Sequence, residues 1–261
     1  HMSEKPRKYI FENMLVAGSP LIPSDKNFRY ELIDDAVDDD YIGSAQVEYP
    51  RISVKLVIPM PRKGKKMPRG DKLYDVHYQL LHLASLNDYR DPVVYYTANG
   101  LIREMGWEKG GRQIRLVRDA IDFLWKMEMH VEGVLPDPAH QDLWVQRIHR
   151  GRILINRSEP MKEIRVNGPG GRRLPTSYVV YNPFYLQQIA QDTGVQIDVE
   201  LLAQIPGTLG KAFFRTSSWL RACGRSRIEL PELFERVGST AQRTLPSDAE
   251  KAFGRAWQPM V

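Results

Sequence analysis

The spacing of apolar positions changes along the chain, and each change marks an element. From residue 46 to residue 60 (QVEYPRISVKLVIPM) β-branched side chains dominate, which reads as strand. From Asp71 the period turns helical, with Leu73, Val76, Tyr78, Leu80, Leu81 and Leu83 recurring up to Ser85. Val93-Val94-Tyr95-Tyr96 reads as a short strand. Thr97 is placed to cap a helix that runs through Met105, its hydroxyl accepting from an orphan backbone amide. Beyond residues 106–110 a second helix is expected over 111–127. Its apolar positions Ile114, Val117, Ile121, Leu124 and Trp125 are spaced 3, 4, 3 and 1, one face of an α-helix. The first turns of the opposite face carry Arg112, Gln113, Arg115 and Arg118.

Three strand-like runs follow, at 129–135, 143–148 and 152–157. His149-Arg150-Gly151 joins the last two as a glycine-containing hairpin turn. Helix, short strand, helix, basic helix and hairpin is the order of a winged helix. The basic helix would take the recognition position, and His149-Arg150-Gly151-Arg152 the wing tip. Residues 167–173 read as a flexible basic loop, followed by a strand at 177–181 and a short helix over 183–191. A second unit is expected from Val195: a helix at 209–223, a strand at 227–229, a helix at 231–237 and a last helix at 247–257. The expected class is therefore α+β with tandem winged-helix domains at 71–175 and 176–261. The second is expected to be incomplete, stopping before a wing. Residues 1–70 form an acidic, β-rich segment that ends in the basic linker 61–70, rich in Pro and Gly.

Charge sharpens this picture. The 261 residues carry 37 Lys and Arg against 32 Asp and Glu, a net +5, and room for one or two domains. Residues 1–60 hold 7 basic and 10 acidic side chains, so the remaining 201 residues carry 30 − 22 = +8. A basic larger part points to a polyanionic partner, most simply nucleic acid. The single cysteine, Cys223, excludes a disulfide framework and a cysteine-built zinc site. No stretch approaches the ~18 consecutive apolar residues of a membrane span. His1-Met2-Ser3 reads as an expression-vector remnant with no signal peptide after it, so a cytoplasmic setting is expected.

Candidate chemistry concentrates in the basic helix and the hairpin. Arg112, Gln113 and Arg115 suit base edges in a major groove, while Lys109, Arg118, Arg150 and Arg152 suit phosphates. Lys251 and Arg255 would do the equivalent for the second unit. Residues 143–173 hold eight basic side chains against Glu159 and Glu163, a net +6 that a phosphate backbone would attract. Asp34, Asp35, Asp38, Asp39 and Asp40 read as a solvated acidic face. Gly207 and Gly210 flank only Thr208 and Leu209, and Ala212 follows Lys211, so the run lacks the length and the hydroxyl of a phosphate loop. None of the six histidines stands one apolar residue from another, which argues against a metal-dependent nicking site. No cofactor, metal or catalytic step is expected.

Two stretches resemble a known family. The first is Tyr96-Thr97-Ala98-Asn99-Gly100-Leu101-Ile102-Arg103-Glu104-Met105-Gly106-Trp107 with residues 110–124 (GGRQIRLVRDAIDFL). It is similar to the first winged helix of the plasmid replication initiator protein A family, where a short helix, a glycine, Gly-Gly-Arg and a helix ending Ala-x-x-x-Leu follow one another. The second is Tyr181-Asn182-Pro183-Phe184-Tyr185 with residues 209–215 (LGKAFFR) and 229–238 (ELPELFERVG). Together they span roughly residues 70–250. The resemblance implies tandem winged helices without catalytic activity that bind repeated double-stranded sites at a plasmid origin. It also implies duplex opening, recruitment of host replication proteins, and a homodimer that represses its own synthesis. A winged-helix transcriptional regulator is the alternative. Phe213-Phe214 departs from the aromatic pattern usual at that helix, and the acidic N-terminal part has no counterpart in the family.

Overall fold

Helical periodicity over 71–85 predicts one apolar face, yet the helix that forms is buried nearly all round. Leu73, Tyr74, Val76, His77, Tyr78, Gln79, Leu80, Leu81 and Ala84 are all buried, because other elements pack on every side of it. The computed structural model describes residues 9–17, 41–49, 52–59, 68–136, 144–158, 165–167, 173–175, 177–189 and 194–238. In chain order the elements are β1 (Tyr9–Asn13), α1 (Met14–Ala17), β2 (Tyr41–Tyr49), β3 (Ile52–Pro59), α2 (Gly70–Ser85), β4 (Val93–Tyr96), α3 (Ala98–Glu104) and α4 (Gly111–Lys126). Next come β5 (Glu128–Pro136), β6 (Trp144–Arg152), β7 (Leu154–Ser158), β8 (Arg165–Asn167), β9 (Arg173–Pro175) and β10 (Ser177–Tyr181). The chain continues through α5 (Pro183–Gln188), β11 (Gly194–Asp198), α6 (Val199–Gln204), α7 (Gly207–Ala222) and α8 (Leu230–Arg236). The buried helix is α2, and β1, β4, α3, α4, α6 and α7 all contact it.

Among the described residues, helices and strands mix in four open antiparallel sheets: β2–β3–β5–β6, β4–β10–β7, β1–β11 and β8–β9. Period-two burial sets the faces. In β10 Ser177, Val179 and Tyr181 are buried while Tyr178 and Val180 are half-buried. In β5 Met129 and Val131 are buried, while His130 between them is half-buried.

The hairpin expected across His149-Arg150-Gly151 does not form. β6 runs unbroken through those residues, with Val131, His130 and Met129 of β5 opposite His149, Arg150 and Gly151. β7 pairs instead with β10, in a different sheet. The switch happens at Ile153, whose N–H donates to the Met127 carbonyl while its own carbonyl accepts from Asn182 N–H. Gly151 serves close approach rather than a turn: a Cβ there would stand 2.7 Å from the Asn182 amide nitrogen. The connection from β7 to β10 holds the antiparallel pair β8–β9, with Asn167 opposite Arg173 at the two ends of the expected basic loop, whose residues 168–172 lie outside the described residues.

The strand expected at 227–229 is likewise absent, since residues 225–229 are neither helix nor strand. There α7 ends in a left-handed Gly224, φ +67°, with Gly224 N–H and Arg225 N–H donating to the Arg221 and Leu220 carbonyls. Arg225 then pairs both ways with Glu232, so the chain turns directly into α8. The acidic cluster at 34–40, most of the basic linker 61–70 and the last expected helix at 247–257 lie outside the described residues.

A buried charged network ties the N-terminal strand into this body. Glu12 of β1 is fully buried and receives Nε and Nη2 of Arg215 on α7, at distances from 2.6 to 3.1 Å. Tyr78 Oη donates to Glu12 Oε2 at 2.6 Å, and His77 Nε2 stands 3.4 Å from Oε1. Arg215 also donates to the Val16 carbonyl, 2.8 Å. Burial alone would raise the Glu12 carboxyl, but Arg215 and His77 outweigh it and hold it at about 2.

Candidate nucleic-acid interface

The start of α4 is built by the end of α3. Thr97 Oγ1 accepts from Gly100 N–H at 2.9 Å and caps α3, as its sequence position leads one to expect. At the other end Gly106, φ +67°, lets the chain reverse: Gly106 N–H donates to Arg103 O and Trp107 N–H to Ile102 O. Trp107 then locks this turn to α2. Its indole N–H donates to Asp75 at 3.3 Å, and Lys72 Nζ stands 4.3 Å from the ring centroid. Asp75 is in turn ion-paired with Lys211 of α7. Burial pushes the Asp75 carboxyl above its usual range, although Lys211 and Lys72 pull the other way.

On α4 itself Val117, Ala120, Ile121, Phe123 and Leu124 are buried, and Arg112, Arg115 and Arg118 form an exposed ridge spaced by three residues. Lys109 is exposed just ahead of the helix. Gly110 contributes no side-chain cap, and the first turn carries no acidic residue, so the positive end of the helix dipole is not neutralised there. Gln113 is half-buried, its Oε1 close enough to Gly110 that a Cβ on that glycine would lie 3.0 Å away. The arrangement offers an anion an exposed helix start flanked by guanidinium and ammonium groups.

The remaining expected contacts are dispersed. Arg150 is exposed near the C-terminal end of β6. Arg152 is committed inward: its guanidinium lies 4.6 Å from the Trp125 ring centroid, and its Nε is 3.9 Å from Glu128. His149 stacks on Phe184 at 4.0 Å and 16°, beside the Asn182 amide at 3.3 Å, and burial lowers its pKa. Lys251 and Arg255 lie outside the described residues. Arg157, one of the eight basic side chains expected to face a phosphate backbone, also lies over Trp125 at 4.9 Å and is ion-paired with Asp122. Trp125, spaced 4 from Ile121, is a hint of an inward aromatic, but nothing local identifies its cationic partners. Among the described residues no group of three or more His, Cys, Asp or Glu could hold a metal ion. No helix among them is long and apolar enough to cross a membrane.

No family model matches the sequence, and no curated protein does. Two solved structures of domains 2 and 3 of RctB are similar in fold. A crystal structure of selenomethionine derivatives of these domains aligns with a TM-score of 0.53 at 17% identity, covering 92% of this chain and 85% of that one. A second crystal structure of RctB domains 2–3 gives 0.51 at 17% identity, covering 87% and 80%. The mixed helix-and-strand body with open sheets is thus an arrangement shared with the RctB domains.

Proposed function

We propose that the chain is a replication initiator that binds repeated double-stranded DNA sites without a catalytic step. The observation that carries this reading is the order α2–β4–α3–α4–β7–β10 around the sheet β4–β10–β7, with an exposed basic ridge on α4. That order supports reading the region as a winged helix with α4 as its recognition helix. The β5–β6 hairpin is then an insertion, and the wing is the β8–β9 hairpin between β7 and β10. In this assignment Arg112, Gln113 and Arg115 read bases, and Lys109 and Arg118 hold phosphates. Arg165 and Arg173, on β8 and β9, take the phosphate role that the sequence gives to Arg150. Likeness to RctB, a replication initiator, supports the biological class. The same reading expects a plasmid or plasmid-like origin, a homodimer on paired sites and host replication proteins as partners.

The test is replication itself. A plasmid whose only origin is the DNA flanking this gene is introduced into a host that expresses the chain. Stable maintenance with the unaltered chain, and its loss with Arg112→Ala/Arg115→Ala, is the expected outcome. Failure to maintain the plasmid, together with repression from an inverted repeat, would make the protein a transcriptional regulator using the same helix. A covalent protein–DNA adduct would point to a nicking enzyme and contradict the proposal.

A further inference from the structure

Between α2, the end of α3 and α6 lies a cleft of about 350 Å³, within the ~300–1,000 Å³ range of small-molecule sites. Met105, Val199 and Leu202 give it apolar walls. Asp75, Tyr78 and Gln79 line it from one face of α2, at i, i+3 and i+4. Asp75 is engaged by Lys211, Lys72 and Trp107. Gln79 is not engaged. It is 4% exposed, lines the cleft, and has no hydrogen-bond partner among the described residues. Its amide opens onto the cleft rather than being sealed from water, and there it can hydrogen-bond a ligand. Two further carboxylates line the same space: Glu104, exposed, and Glu200, half-buried. Glu104 meets Arg103 at 3.4 Å on the surface, a contact that water screens.

We propose that this cleft binds a small organic cation, an ammonium or guanidinium on an apolar stem. Its charge lies at Glu104 and Glu200, its stem packs on Met105, Val199 and Leu202, and a second polar group pairs with the Gln79 amide. Gly106 lines the same cleft and is the residue at which the chain turns from α3 towards α4, so an occupied cleft would brace the start of the basic helix. The inference concerns binding alone and stands apart from the DNA reading.

Calorimetric titration of the full chain with hexylamine, 6-aminohexanol and hexanol tests it. Hexylamine is expected to saturate one site at least tenfold more tightly than neutral hexanol. Glu104→Gln/Glu200→Gln should weaken hexylamine tenfold or more, whereas Glu229→Gln, an exposed acid elsewhere, should leave it unchanged. 6-Aminohexanol, whose hydroxyl can pair with the Gln79 amide, should bind at least threefold more tightly than hexylamine, and Gln79→Leu should abolish that preference. Equal binding of hexylamine and hexanol would overturn the proposal. So would binding indifferent to the Glu104 and Glu200 changes, or a preference for 6-aminohexanol that survives Gln79→Leu.

Discussion

Arg215 of α7 grips the carboxylate of Glu12 in β1 across 203 residues of sequence, with Nη2 2.6 Å from Oε1 and Nε 2.9 Å from Oε2. Both side chains are buried, and Tyr78 and His77 of α2 complete the shell around the carboxylate. The contact fastens three elements, β1, α2 and α7, at one point.

Removing one member leaves the other charged and buried. Arg215→Met alone is expected to destabilise the fold by about 3–5 kcal/mol, and Glu12→Leu/Arg215→Met by much less, because the pair then gives way to apolar contacts. Urea denaturation of the three proteins measures the difference. A single variant as stable as the unaltered chain would mean that the network contributes little.

Acid should act through the same carboxylate. Its folded value is about 2 against an ordinary 4.5, so a depressed group is stabilising above pH 4.5, and that contribution fades as pH falls toward 2. The loss is on the order of 3 kcal/mol. Glu232, held at about 2 mainly by hydrogen bonds from Arg225 and Arg236, fades over the same interval. The Glu12→Leu/Arg215→Met variant keeps Glu232. The difference in stability between it and the unaltered chain, followed from pH 5 to pH 2, therefore isolates Glu12. That difference should shrink as the solution is acidified.

Arg152 and Arg150 should behave differently from one another and from the wing. Arg152→Ala removes a cation–π contact with Trp125 and is expected to lower stability by about 0.5–1 kcal/mol, with little change in DNA affinity. On the wing reading, Arg165→Ala should reduce the slope of log affinity against log salt by about 0.9, as loss of one phosphate contact does, whereas Arg150→Ala should leave it nearly unchanged. Binding isotherms across a salt series check both. A slope lowered by Arg150→Ala and not by Arg165→Ala would return the phosphate contact to β6.

What the sequence made legible is local. The face of α4, the strand Val93–Tyr96, the Thr97 cap and the strand Ser177–Tyr181 all follow from periodicity or capping within a few residues. Strand partnership is not local. β6 and β7 are separated by Ile153 alone, so they look like a hairpin, yet the hydrogen bonds Ile153 donates to the Met127 carbonyl and accepts from Asn182 N–H send them into different sheets. The Glu12–Arg215 pair, the Trp125 cations and the unpaired Gln79 amide depend on residues brought together by the fold. Nothing in their own neighbourhoods announces them.

The base-reading role of α4 separates from simple attraction to phosphates in one experiment. Bound fragments are enriched from random duplex DNA at about 50 and 200 mM salt, the range over which phosphate-only binding collapses. The same selection is repeated with Arg112→Ala/Arg115→Ala. A motif that survives the higher salt with the unaltered chain, and relaxes at particular positions with the variant, is the result expected. At one of those positions Arg115→Ala alone should cost about 1–3 kcal/mol. Enrichment of no motif, with binding that vanishes as salt rises equally in both proteins, would contradict the assignment of α4 as a recognition helix.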